Sequence, residues 1–336
     1  MKIYKWICVV LLCVMFLPVS LLAQPPLPTG NSRDFKVKTC LHSIGYSGLW
    51  RGQSFLSVDE FLVKAKELGY EGVIIMAKKP HLSPLDYDKE ARAKLKKRIA
   101  DLGLTLVGLA GYSDFTAGLD KGGIPHTEIQ AAYIGQVAEL AADLGTNMVR
   151  IFTGYERPGL GIPYDRQYAT VVEAIRLAAV QAQKYGVTLI VQNHHDIALH
   201  HEAMYWLMQD VNMPNVKVGW DAWSPNLEGL SKEEIKASIH KLKPYIAMTI
   251  AADYVRMPRY RYESGLTNYI PETPVMRATQ MGKGVIDYDT FFGTLKEIGY
   301  QGYLIYEMCE VLEGGGSIQN LDYTAKEFLK YIQKFK

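Results

Sequence analysis

The sequence predicts an α/β protein built as one closed (β/α)8 barrel, a TIM barrel, and three observations predict it. An amphipathic helix, a Gly or Asn turn and a short apolar strand recur along the chain. Together with a first strand these recurrences bring the strand count to eight, and no composition break marks a second domain. Strands that alternate with helices require a parallel sheet with right-handed crossovers, and eight such units close more readily than they spread into an open sheet.

The elements follow in chain order. Residues 1–23 stand apart: Lys2 and Lys5 precede an apolar stretch from Trp6 to Ala23, which then meets polar, Pro-rich Gln24 to Gly30. This is the pattern of a secretory signal peptide, with 24–34 as a flexible linker and 35–336 as the barrel. The expected address is the periplasm. A retained anchor is the competing reading, because the apolar run is nearly long enough to span a bilayer. A first strand is expected near Val37 to Ile44, and Ser57-Val-Asp-Glu60 is a capping box that opens the first helix. The helix–turn–strand phrase then reads Lys66 to Met76, Ala100 to Val107, Ala142 to Ile151 and Gln183 to Val191. In each, a Gly after the last helical turn takes the left-handed cap. Asn212 to Val218, Lys243 to Ile250 and Lys296 to Ile305 supply the remaining strands, and Ser231-Lys-Glu-Glu234 is a second capping box. The longest irregular stretch, Val255 to Lys283, is rich in Arg, Tyr and Pro. A loop this long in a compact domain is usually functional, and Arg256, Arg259 and Arg261 make it a candidate lid.

Removing residues 1–23 takes two lysines and no acids from 37 basic and 35 acidic residues, which leaves 35 against 35. A balance of zero gives no electrostatic footprint for nucleic acid or for an anionic membrane surface. Two of the four cysteines leave with that segment; Cys40 and Cys309 remain, too few for a disulfide framework, although they allow one bridge. Nothing in the pattern sets an oligomeric state.

In such a barrel the chemistry sits where strands feed into the following loops. Those strand ends supply His42, then Lys78, Lys79 and His81, then Tyr155, Glu156 and Arg157. The fifth strand, Gly186-Val-Thr-Leu-Ile-Val-Gln-Asn-His-His-Asp196, ends in five polar side chains, among them Gln192, His194 and His195. The sixth ends in Asp221 with Trp223 beyond it, the seventh in Asp253, and the eighth in Glu307. Lys78 with Lys79 reads as a solvated pair, Glu156 with Arg157 as a local ion pair, and His200 and His201 as helix-surface residues. An acid directly after a buried strand must be paired, hydrogen-bonded or metal-bound to stay charged. Gln192, Asp221 and Glu307 would converge on the barrel axis. They are oxygen donors suited to one divalent ion, Mn²⁺ or Mg²⁺, and a nearby imidazole widens the choice to Zn²⁺ or Co²⁺.

These residues resemble the xylose isomerase-like superfamily of sugar isomerases and epimerases over essentially the whole of the chain after residue 23. The motifs that carry the resemblance are Gly186 to Asp196, Val216-Lys-Val-Gly-Trp-Asp221, Ala252-Asp-Tyr254, Met281-Gly-Lys-Gly284 and Gly299 to Glu307. The resemblance implies a metal held by Glu, Asp, His and Glu at the ends of strands five to eight, with the two glutamates serving as acid and base. This chain departs from that pattern. Gln192 stands where the first Glu is expected, Ile250 or Thr249 where the His is expected, and Ser224 where a second His often follows the Asp.

An amide cannot take a proton at neutral pH, so a two-base epimerase is disfavoured. Glu307 alone can still enolise a carbonyl compound, and His194 or His195 can act as general acid. The expected function is therefore proton abstraction next to a sugar carbonyl with metal assistance, as a lyase or hydratase on a keto-sugar or 3-keto-glycoside. Branches of the resembled superfamily carry out such eliminations. An aldose–ketose isomerase on an unphosphorylated sugar and a non-catalytic sugar-binding protein are the alternatives. The expected partner is a small-molecule carbohydrate, bound by His42, His81, Tyr112, Glu156, Trp223, Asp253 and Arg256. Tyr46, Trp50 and Trp220 are further candidate faces for a sugar ring.

Overall fold

The computed structural model describes residues 35–194 and 197–336. The signal-peptide and linker readings of 1–34, and the assignment to His195, lie outside the described residues. Eight parallel strands close a barrel: β1 (Lys38–His42), β2 (Gly72–Met76), β3 (Thr105–Ala110), β4 (Met148–Ile151), β5 (Thr188–Gln192), β6 (Val216–Asp221), β7 (Ile246–Ala251) and β10 (Tyr303–Tyr306). β1 pairs with both β2 and β10, and β10 pairs with β7, so the sheet has no open edge. The expected single barrel is the fold observed.

Helices clothe the strands. In chain order they are α1 (Val58–Leu68), α2 (Lys89–Asp101), α3 (His126–Leu144), α4 (Tyr164–Gln183) and α5 (His201–Val211), followed by short α6 (Trp223–Leu227). Then come α7 (Lys232–Leu242), α8 (Tyr288–Glu297) and α9 (Ile318–Ile332). Both expected capping boxes form, with Ser57 and Glu60 at the start of α1 and Ser231 and Glu234 at the start of α7. α1 and α3 end on left-handed Gly69 and Gly145 (φ 94° and 90°), a conformation that only glycine adopts without a Cβ clash. The strands are buried on both faces, β2 along its whole length, as a parallel sheet wrapped by helices requires. Among the described residues no helix is long and apolar enough to cross a membrane.

The stretch read as irregular is instead a long antiparallel hairpin, β8 (Asp253–Glu263) and β9 (Asn268–Thr279). Its prolines and arginines suggested a loop, but β-formers alternate with polar residues through both arms. The ladder shifts register between Met257 and Arg259, and this is where Pro258, which has no N–H to give, falls. Directly paired residues share a face, so Tyr260, Pro271, Tyr262 and Tyr269 lie on one side and Arg259, Glu272, Arg261 and Ile270 on the other. Arg259 pairs with Glu272 at 3.0 Å and Arg261 with Glu263 at 2.5 Å, so these two arginines bind within the hairpin.

The surface reading of the paired histidines is corrected for His201. It begins α5 but is buried, with its ring against that of His200 at 4.3 Å, while His200 caps the helix. Cys40 and Cys309 are both free thiols.

Candidate active site

Five strands deliver one buried polar cluster at the C-terminal mouth of the barrel, four of them at their ends. His42 closes β1, Gln192 closes β5, Asp221 closes β6, Glu307 follows β10, and Arg150 sits inside β4. All five are at most 3 % exposed. The expected convergence of Gln192, Asp221 and Glu307 is present. Gln192 Nε2 lies 3.3 Å from Asp221 Oδ2 and 3.4 Å from Glu307 Oε2. Asn193 locks the neighbouring strand ends together, accepting the Asp221 N–H at 2.8 Å and donating to the Asp221 carbonyl at 3.3 Å. Ser224 occupies the first turn after β6, where its N–H donates to Asp221 Oδ1 at 3.0 Å.

Arg150 is the member that sequence reasoning missed. Its Nη2 is 3.2 Å from Glu307 Oε1 and 3.2 Å from His42 Nε2, and its guanidinium stands 4.1 Å from the Phe152 ring centre and 4.9 Å from that of Tyr112. His42 Nε2 is likewise 3.2 Å from Glu307 Oε1. The Ile44 N–H donates to His42 Nδ1 at 3.0 Å, so the neutral ring carries its proton on Nε2 and donates it to Glu307. Burial, reinforced by the Arg150 charge, holds the His42 pKa well below the usual imidazole range. Burial pushes Glu307 up, while Arg150 and the Gln192 amide pull it back. Burial also drives Asp221 well above the usual carboxylate range.

Above this cluster lies a cavity of about 440 Å³ whose lining includes Glu307, Lys78, Tyr112, Phe152, Trp50 and His194. A second cavity of about 250 Å³ is lined by Trp223, Tyr254, Met276 and Ser224 and shares His194 and Cys309 with the first. The Trp223 indole N–H, which can only donate, points at His194 Nδ1 at 3.3 Å. A neutral His194 therefore carries its proton on Nε2.

The remaining candidates divide cleanly. Tyr112 and Trp223 line the cavities. Lys78 also lines the first cavity, with its Nζ 3.8 Å above the Tyr112 ring, which corrects the reading of a solvated pair; Lys79 is exposed beside Asp86. Burial and the Arg150 charge lower the Lys78 pKa. His81 is a satisfied core histidine, its Nδ1 2.9 Å from Ser43 Oγ and its Nε2 3.1 Å from the Leu56 carbonyl. Asp253 serves the backbone: both its oxygens accept N–H groups, from Gly282 at 2.8 Å, Gly284 at 2.9 Å, Ile286 at 3.3 Å and Tyr254 at 2.9 Å. Glu156 is exposed, and Arg157 pairs with Asp114 instead of with it. Arg256 is exposed on the hairpin. Tyr46 and Trp220 are buried core residues, so of the added aromatic candidates only Trp50 reaches the cavity.

The donor set fits a resident divalent ion poorly. The amide turns its N–H groups, not its oxygen, toward both carboxylates, and one carboxylate already holds the Arg150 cation. Apolar Ile250 stands in register beside Asp221. Among the described residues no group of three or more His, Cys, Asp or Glu is placed to hold a metal.

A closed (β/α)8 barrel with a polar cluster at its C-terminal mouth has the layout in which barrel enzymes carry their active sites. Residues 62–333 match the xylose isomerase-like TIM barrel family, and the chain belongs to that family. Among solved structures it is similar to a D-psicose 3-epimerase from Clostridium cellulolyticum H10, crystallised with D-tagatose. That match has a TM-score of 0.67 and 17% identity, covering 89% of this chain and 99% of that one. It is also similar to a probable 3-DHS dehydratase from Bacillus anthracis (TM-score 0.64, 17% identity, 87% and 99% covered). A xylose isomerase domain protein from Planctomyces limnophilus aligns with a TM-score of 0.60 at 15% identity, over 90% and 98%.

Proposed function

We propose that this protein is a sugar-modifying enzyme that removes the proton next to a sugar carbonyl with one base, Glu307, and expels an oxygen substituent by elimination. The observation that carries the reading is Gln192, an amide within 3.4 Å of Glu307 where a second base would be needed to reprotonate the opposite face. Family membership and neighbours named as epimerases and a dehydratase support sugar chemistry of this general kind.

The roles follow from the side chains. Arg150 and His42 hold Glu307 Oε1 and favour its ionised form, so the carboxylate can accept the substrate's C–H proton. The electron pair of that C–H bond forms the enediolate, whose oxygen is met by a hydrogen-bond donor. His194 fits this role as a neutral imidazole with Nε2–H rather than as the proton-donating acid first expected. The C–O bond then breaks, and its pair leaves on oxygen. Lys78, an ammonium with a lowered pKa in the same cavity, supplies the proton to that oxygen. The adjoining cavity beyond His194, faced by Trp223 and Tyr254, has the place and character to hold the departing group of a glycoside. A keto-glycoside is therefore the favoured substrate over a single keto-sugar. No step is assigned to a metal.

Glu307→Gln should lower the rate of product release from a keto-glycoside by about 10²–10⁴-fold with the fold intact by circular dichroism. Lys78→Met should remove the alkaline limb of the pH–rate profile, which lies below the ordinary lysine range. Full activity in Glu307→Gln would defeat the base assignment. Ketose–aldose interconversion without release would select the isomerase reading, and saturable sugar binding without turnover the binding-protein reading. Export through residues 1–23 belongs to the same proposal, since it gives the enzyme free sugars and glycosides rather than phosphorylated ones.

A further inference from the structure

The oxygen donors at the barrel mouth suggested a divalent ion, but the cluster is already furnished with donors and with a positive charge. Among the described residues, each hydrogen bond or ion pair to the two carboxylates comes from an N–H or O–H group. Arg150 Nη2 and His42 Nε2 each stand 3.2 Å from Glu307 Oε1. Gln192 Nε2 bridges Glu307 Oε2 and Asp221 Oδ2 at 3.4 and 3.3 Å, and the Ser224 N–H takes Asp221 Oδ1 at 3.0 Å. His42 offers a proton and not a lone pair to this space, because its Nδ1 is spent on the Ile44 N–H. It cannot serve as a ligand there without giving up that bond. Across the barrel, β7 contributes only Ile250 in register with Asp221 and with Ile305.

Arg150 itself is fixed. Its guanidinium lies over Phe152 and Tyr112 and is 1 % exposed. A dication placed between the carboxylates would sit a few ångströms from that charge, in an interior where like charges repel strongly. Among the described residues, Arg150 Nη1 and Gln192 Oε1 are buried without a hydrogen-bond partner, one donor and one acceptor left for a polar ligand.

We infer that Arg150 supplies the positive charge of this centre in place of a divalent ion, and that the site is built to work without a metal. Arg150 is here a positioning residue, acting through Glu307. This inference goes beyond the elimination reading and stands or falls separately, because its test reads metal binding and not turnover.

The test uses the full chain purified after growth with added Mn²⁺, Zn²⁺ and Co²⁺. Elemental analysis should find well under one equivalent of any of the three per chain. Titration with Mn²⁺, followed by electron paramagnetic resonance of the free ion, should show no saturable site below about 100 µM; that ceiling is an order-of-magnitude choice from ordinary site affinities. The double variant Arg150→Met, Gln192→Glu removes the resident cation and restores a third carboxylate, and it should gain one Mn²⁺ site with at least a tenfold rise in affinity. Gln192→Glu alone, still facing Arg150, should gain less. One tightly held metal per wild-type chain, or a thermal midpoint that EDTA lowers and Mn²⁺ restores, would overturn the inference. So would a folded double variant that gains no Mn²⁺ site. If the double variant does not fold, the wild-type metal content and the EDTA response decide the question by themselves.

Discussion

At Asp221 the carboxylate accepts hydrogen bonds from the Ser224 backbone and hydroxyl and from Gln192, and makes no ion pair among the described residues. Burial raises its pKa well above the ordinary value, so the folded chain holds a proton that the unfolded chain releases. Stability contributed by that proton is present at and below the ordinary carboxylate pKa and is lost as pH climbs toward the raised folded value. Asp221→Asn removes the titration. Its melting temperature relative to the wild type should rise as pH climbs above the ordinary carboxylate range, the direction set by the raised Asp221 pKa. A difference that does not change with pH would contradict this account. Asp221, Gln192 and Glu307 were legible in the sequence because each ends a strongly apolar run, where a polar side chain needs a reason. Arg150 was not. Within Met148-Val-Arg-Ile151 it sits inside the strand, before the strand end where site residues are expected, and its partner Glu307 lies 157 positions away. Only closure of the barrel puts the two side by side.

The hairpin shows the same limit at the scale of an element. Eight barrel strands could be placed because a helix-period segment, a cap and an apolar run recur together, three signals that agree. Residues 253–279 carry period-two patterning interrupted by prolines, with tyrosines rather than a run of aliphatic residues on one face, so the turn chemistry points to a loop and hides the alternation. Asp253 shows a related limit: a carboxylate after β7 has the position of a site residue, and in the fold its oxygens accept backbone N–H groups of the returning chain. It anchors the base of the hairpin to residues 282–286 through three N–H groups and also accepts the N–H of its neighbour Tyr254. Asp253→Ala should cost about 1–3 kcal/mol, since the buried Tyr254 and Ile286 N–H groups lose their acceptor. Limited proteolysis should then cut at the hairpin base before the barrel unfolds. Gly284 belongs to the same joint, because a Cβ there would run into Asp253 Oδ1 and the Tyr254 carbonyl. If Asp253→Ala melts with the wild type and resists protease equally, the anchoring role is wrong.

For the whole molecule, the barrel brings the Glu307 carboxylate, the Arg150 guanidinium, the His194 imidazole and the Lys78 amine to a divided cleft, with His194 lining both cavities. Fold and cluster follow from strand order alone. The choice among eliminating, isomerising and merely binding a sugar depends on where a few protons go. Export adds a separate expectation: cell fractionation should find the protein in the periplasm with Gln24 at its N-terminus, and a cytoplasmic, full-length chain would refute the leader reading. The central claim is that Glu307 takes a proton from the carbon beside a sugar carbonyl, and proton NMR in deuterated water reads that event directly. Wild-type protein mixed with a keto-glycoside should exchange that carbon's hydrogen for deuterium or release the second sugar as an unsaturated ketone forms, and Glu307→Gln should do neither. Binding of the same compound by the wild type with no exchange and no release would contradict the claim.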